Sequence, residues 1–253
     1  YLGRRGRPLG KNDDGDPGAS LGIGPVAHRH PGEVAQGRHG DPAKSGLAGR
    51  SSLGLGSNLL AWSVDTQGDE RYTIKVKDLR TGEVLPDEIS ATSGGATWSA
   101  GATHLFYTTV DEAWRPHQVW RHALGSTDDD ALVFEEPDDR YFIGVGRTQS
   151  DKYLVIGLSS KITSEVRVLD AANPEGEFAV VIPRRDGVEY SLEHAVIAGK
   201  DVFLVLHNDS AINFQLDIVP VDDPTTRTVL VPGNDTTRLE DVDVYFENGR
   251  GDH

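Results

Sequence analysis

Four short apolar runs recur along this chain at almost constant spacing: LLAWSVD from Leu59, HLFYTTVD from His104, YLVIGLSS from Tyr153 and VFLVLHND from Val202. The intervals are 45, 49 and 49 residues. Each run is followed by a second strand-like segment: RYTIKVKDLRTGE, HQVWRHALGS, SEVRVLDAANPEG and FQLDIVPVDDP. Before the last three lie GATWSA, RYFIGVGR and YSLEHAVIAG, and RLEDVDVYF opens a further unit that is not finished. Short apolar runs bounded by Gly, Asp, Asn and Pro predict strands and turns, and helical periodicity is almost absent. Self-similarity at about 40 to 50 residues, with several strands per unit, predicts the blades of a β-propeller. The expected fold is all-β: an incomplete propeller of three to four blades.

The repeat also explains the tryptophans of TTVDEAWRPHQVWRHALG, residues 108–125. An amphipathic helix, a platform for nucleic-acid bases and one blade of a repeated sheet are the competing readings. The repeat places Trp120 in the third strand of a blade, where an aromatic fills space between packed blades, and Trp114 in the preceding loop.

Charge narrows the partners. The net charge of -15 and pI near 4.9 argue against phosphate backbones, which are held by clustered Lys and Arg. No apolar run approaches the ~18 residues of a membrane span, and no signal-peptide pattern is visible. The expectation is a soluble, cytoplasmic protein with neither nucleic-acid nor membrane partners. Zero cysteines exclude disulfides, thiolate metal sites and a cysteine nucleophile, and no cofactor is expected. Zero methionines, in a chain that begins at Tyr1, lead to the expectation of a fragment or processed piece.

The first 57 residues differ in kind. They hold 14 of the 29 glycines, 5 of the 13 prolines and neither Phe nor Trp, so they cannot build a core. Their 8 basic against 5 acidic residues give +3, leaving -18 for residues 58–253. The expected organisation is a low-complexity segment at 1–57 and a partial propeller at 58–253. Two readings compete for the first segment: a disordered basic tail, and an out-of-frame translation of GC-rich DNA.

Five strings carry a family resemblance: VDEAWRPHQVWRHALGS, EEPDDRYFIGVGRTQSDKYLVI, SSKITSEVRVLDA, PRRDGVEYSLEH and HNDSAINFQL. In order and spacing, they and AWSVDTQGDERYTIKVKDLRTGE resemble the propeller of the oligopeptidase B group, in the prolyl oligopeptidase family of serine peptidases. The match runs from about Leu59 to Tyr245. The resemblance implies a seven-bladed propeller capping an α/β-hydrolase domain with a Ser, Asp, His triad. It further implies cleavage of short peptides after Arg or Lys. The text before Leu59 and the polar DVDVYFENGRGDH depart from the family pattern, which favours the frame-error reading and predicts that the hydrolase domain is missing.

No residue here matches a family catalytic position, so no catalytic, cofactor-binding or metal-binding residue is named. The pattern G-x-S-x-G occurs once, at Gly18 to Gly22 around Ser20, but follows the charged, turn-forming KNDDGDP rather than a buried strand. His28, His30 and His39 lack a supporting carboxylate pattern. His122, His194 and His207 fall on or beside predicted strands and read as structural histidines. RGD at Arg250 to Asp252 and the glycosylation-like triplets at Asn208 and Asn234 read as accidental. TDDDA (127–131) and EEPDD (135–139) read as solvated loops, with calcium or basic peptide as the alternative. The function expected is a gating propeller of a peptidase that cuts after basic residues, inactive in this form. The competing reading is a freestanding propeller that binds proteins without catalysis.

Overall fold

A computed structural model describes residues 51–54 and 57–245. The low-complexity segment up to Arg50, with Ser20, His28, His30 and His39, and the RGD triplet lie outside the described residues.

Sixteen strands form four antiparallel sheets of four strands each. Blade I comprises β1 (Ser51–Leu53), β2 (Leu59–Val64), β3 (Tyr72–Asp78) and β4 (Val84–Thr92). Blade II comprises β5 (Thr97–Trp98), β6 (His104–Val110), β7 (Pro116–Ala123) and β8 (Ala131–Glu135). Blade III holds β9 (Phe142–Arg147), β10 (Tyr153–Ser159), β11 (Ser164–Asp170) and β12 (Ala179–Val180). Blade IV holds β13 (Tyr190–Ile197), β14 (Lys200–His207), β15 (Gln215–Pro220) and β16 (Thr228–Val231). Within every blade the strands follow chain order, each pairing with its predecessor. First strands β1 and β5, and β5 and β9, lie against each other, so the blades fan out from a hub of first strands.

The apolar runs of the repeat are the second strands. Successive side chains of a strand point to opposite faces, and both faces of a second strand meet protein. In β6, Leu105 and Tyr107 face blade I and, with Trp98 of β5, join its Ile74, Val76 and Ile89; Phe106 faces blade III, beside Ile143, Leu154 and Ile156. In β14, Phe203 and Val205 pack with Tyr153 and Val166 of blade III, while Val202, Leu204 and Leu206 take the far face. Burial on both sides is why FLVL reads as a continuous apolar run rather than an alternation. The β13–β14 hairpin turns at Ala198 and Gly199, both with positive φ (50° and 74°), as a tight two-residue turn requires.

Two local expectations change. Ser51–Leu53, within the stretch read as low complexity, pairs with β2 as the first strand of blade I. A first strand needs backbone partners more than apolar side chains, so composition hid it. RLEDVDVYF, read as opening a new blade, forms no strand among its described residues. Leu239, Val242 and Val244 instead fold onto the far face of blade IV.

The two tryptophans behave differently. Trp120 lies on β7, packs against the seam of blades I and II, and donates its indole N–H to Thr109 Oγ1 at 3.2 Å. Trp114 is 44% exposed, has φ of 63°, and lies under the guanidinium of Arg71 at 5.0 Å from the ring. Trp98 is the seam's largest buried side chain, at 1% exposure. Trp98→Ala is expected to cost about 3–5 kcal/mol in urea unfolding, whereas Trp114→Ala costs under about 1 kcal/mol. Equal losses would show that the seam is not the stabilising element.

Candidate functional site

Among the described residues, three clusters of buried ionisable groups lie along the seams between blades. The first cluster joins blades I and II. His122 on β7, 7% exposed, gives Nδ1–H to Asp130 Oδ1 at 2.7 Å and Nε2–H to Asp87 Oδ1 at 3.0 Å. Asp130 also accepts the Tyr107 hydroxyl at 2.7 Å, and Asp87 accepts the Gly125 N–H. Burial alone would push the His122 imidazole down, but the two carboxylates outweigh it and hold the ring above the ordinary histidine value.

A second cluster spans blades II, III and IV. Arg184, between β12 and β13, donates Nη2–H to Glu136 in the link after β8 and Nε–H to Glu165 on β11 at 3.1 Å. Arg167 closes on Glu165 at 2.9 Å. The Arg184 guanidinium lies 4.3 Å from the Tyr141 ring centre, and Arg167 lies 4.5 Å from that of Phe134. Burial raises the Glu165 carboxyl, yet the arginines win and hold it below the usual range. Nearby, buried Arg115 bonds Asp111 and sends Nη1–H to the carbonyls of Glu136, Asp138 and Tyr141 at 3.1–3.2 Å, pinning the link between blades II and III.

The third cluster holds blades III and IV. His194 Nε2 meets Asp201 Oδ1 at 2.9 Å, and Lys152 Nζ reaches the other Asp201 oxygen at 2.6 Å. Within blade IV, His207 Nε2 bonds Asp217 Oδ2 at 2.8 Å while His207 Nδ1 accepts the Asp209 N–H. The three histidines read as structural are thus all buried and bonded to aspartate. His194 Nδ1 is buried with no partner, and burial holds that ring below the ordinary value against the pull of Asp201.

This geometry has a chemical consequence. Acyl transfer needs a hydroxyl within reach of an imidazole whose other nitrogen is held by an acid. Both nitrogens of His122 and of His207 are occupied by groups other than a hydroxyl, and His194 Nδ1 has none in range. Among the described residues, no group of three His, Asp or Glu side chains is placed to hold a metal ion. These clusters position blades; they do not assemble a reaction centre.

The acidic runs are where the sequence reading fell short. TDDDA and EEPDD are not wholly solvated: Asp130 turns inward to His122, and Glu136, 3% exposed, turns inward to Arg184. Their partners are set by the fold: Asp130 is 8 residues from His122 and 23 from Tyr107, and Glu136 is 48 from Arg184.

Four successive four-stranded meanders, fanned from a hub of first strands and bolted at each seam, define a β-propeller segment. The sequence model of the prolyl oligopeptidase N-terminal beta-propeller domain matches residues 51–248. The chain belongs to that family. It is 39% identical over 186 residues to Protease 2 of Moraxella lacunata, covering 72% of this chain and 26% of that protein. It is also 39% identical over 168 residues to dipeptidyl aminopeptidase BI of Pseudoxanthomonas mexicana, covering 66% and 23%. Oligopeptidase B from Trypanosoma brucei, in its closed form with covalently bound antipain, superposes with a TM-score of 0.69 at 31% identity, covering 79% of this chain and 28% of that one. The chain thus spans about a quarter of the length of these relatives.

Arg184→Met is expected to destabilise the fold by about 3–5 kcal/mol, because it leaves Glu136 and Glu165 buried without their shared cation. Adding Glu136→Gln should recover part of that loss in urea unfolding. Full additivity of the two changes would mean that the pair does not interact.

Proposed function

We propose that this chain serves as the gating propeller of an oligopeptidase B-like serine peptidase that hydrolyses short peptides after Arg or Lys, with the catalytic groups supplied by an α/β-hydrolase domain. The family match over residues 51–248 carries this reading. Acidity supports the basic preference: residues 58–253 carry -18, a field that draws cationic peptides toward the fan. Two relatives of equal identity bear different enzyme names, so the preference rests on this charge and on the oligopeptidase B structures rather than on identity alone.

Surface shape supports docking of a hydrolase domain. A blade with an even number of antiparallel strands returns the chain to the face it entered, so the β2–β3, β6–β7, β10–β11 and β14–β15 loops share one face of the fan. Three of these loops expose an apolar side chain: Trp114 at 44%, Ile162 at 62% and Ile212 at 83%. Spaced apolar tips on one face suit contact with another domain across a surface that opens and closes. The alternative is a freestanding protein-binding scaffold using the same tips.

The test compares the chain alone with a fusion that joins it to the hydrolase domain of a Protease 2-type relative, using fluorogenic peptides ending in Arg, Lys or Ala. The chain alone is expected to show no hydrolysis, and the fusion to cut Arg and Lys peptides while sparing a folded protein. Hydrolysis by the chain alone, or a fusion that degrades folded protein as readily as peptide, would overturn the proposal.

A further inference from the structure

The seam between blades I and II contains an arrangement that the other apolar seams lack. Two carboxylates, one from each blade, converge on opposite nitrogens of one buried imidazole: Asp87 from β4 of blade I and Asp130 from the loop before β8 of blade II. An ionised carboxylate only accepts hydrogen bonds, so both contacts are satisfied together only when both ring nitrogens carry a proton. The remaining hydrogen bonds support ionised carboxylates. Asp130 receives the Tyr107 hydroxyl of β6, and Asp87 receives the Gly125 N–H. We propose that His122 is a protonation-dependent latch: as an imidazolium it ties blade I to blade II, and loss of its proton to solvent releases one carboxylate and loosens that seam.

The groups facing the latch come from each element around it. Asp87 and Asp130 favour the charged ring, and Tyr107 is engaged with Asp130. On the other side stands His104 of β6, whose own ring is held below the ordinary value by burial and by the charges of Arg121 and His122, with Glu175 beside it at 3.9 Å. The adjacent carboxylates prevail over burial, and the ring is held above its ordinary value of 6.5. For a group whose pKa is raised in the closed seam, the stabilisation is complete below the value of the open state. It is lost as pH rises through the closed-state value. The latch is therefore fully fastened below pH 6.5 and loosens as pH rises above it.

The neighbouring seam of blades II and III provides an internal control, since its bridging histidine, His104 beside Glu175, is held below the ordinary value and so has no proton to lose as pH rises above 6.5. The experiment is native-state hydrogen exchange of the whole chain from pH 6 to 9, with rates corrected for intrinsic exchange, read at residues 84–92 and 118–125 and, as control, at 154–158. Opening of the first seam is expected to rise by up to about tenfold per pH unit above 6.5 and then level off. The control should stay flat. His122→Gln should remove the slope, and Asp87→Asn should move its onset to lower pH. Proton NMR of the wild-type imidazoles provides a readout that needs no variant, with His122 expected to titrate above 6.5. A flat first seam, a slope that survives His122→Gln, or a His122 titration at or below 6.5 would each refute the latch.

Discussion

Every blade of this protein depends on having its faces covered by another element. A four-stranded meander whose central strands carry apolar side chains on both faces cannot hide them by itself, and at about 25 cal/mol per Å² of apolar surface the penalty for leaving either face wet is large. Successive blades solve this by sandwiching one another. Phe106 and Val119 of blade II fill one seam while Leu105 and Tyr107 of the same blade fill the other. Even the segment after blade IV obeys the rule, since Leu239, Val242 and Val244 settle on the face formed by Val202, Leu204 and Leu206. Such a fan is stabilised by nearest-neighbour contacts, as in other repeat architectures.

Apolar contact is non-directional, however, and would let two flat sheets slide or rotate past each other. The ionic clusters supply the missing direction. Arg184 reaches two glutamates from different parts of the fan, and Arg115 spreads one nitrogen over three carbonyls of the II–III link. Each such group is costly to bury unless its partners sit at hydrogen-bonding geometry, so only one relative placement of the blades satisfies all of them. Apolar seams therefore supply the cohesion of the fan, and the buried polar groups fix its angles. Arginine suits this role because its planar fork can bond carboxylates and stack on Tyr141 or Phe134 at once.

This division explains what the sequence disclosed. The spacing of Leu59, His104, Tyr153 and Val202 announces the seams, because every blade must repeat the same doubly buried strand. The placement of His122, His194 and His207 on or beside strands was legible for similarly local reasons. The bolts were not. Asp87 meets His122 from 35 residues away and Glu136 meets Arg184 from 48; Asp130 of TDDDA lies only 8 residues from His122, but it turns inward to a site completed by Tyr107 and Asp87 on other strands. β1 escaped for a different reason: its pairing uses backbone groups, which every residue carries, in a stretch whose composition resembles the low-complexity segment before it.

The structural use of His122 and His207 follows from the same economy of groups. A catalytic imidazole must keep one nitrogen free for a proton in transit, whereas a structural one is most stabilising when both are engaged. His122 and His207 have both nitrogens engaged, and their aspartates are committed to holding them. Shape, surface charge and the relative placement of the blades are the properties that these seams control.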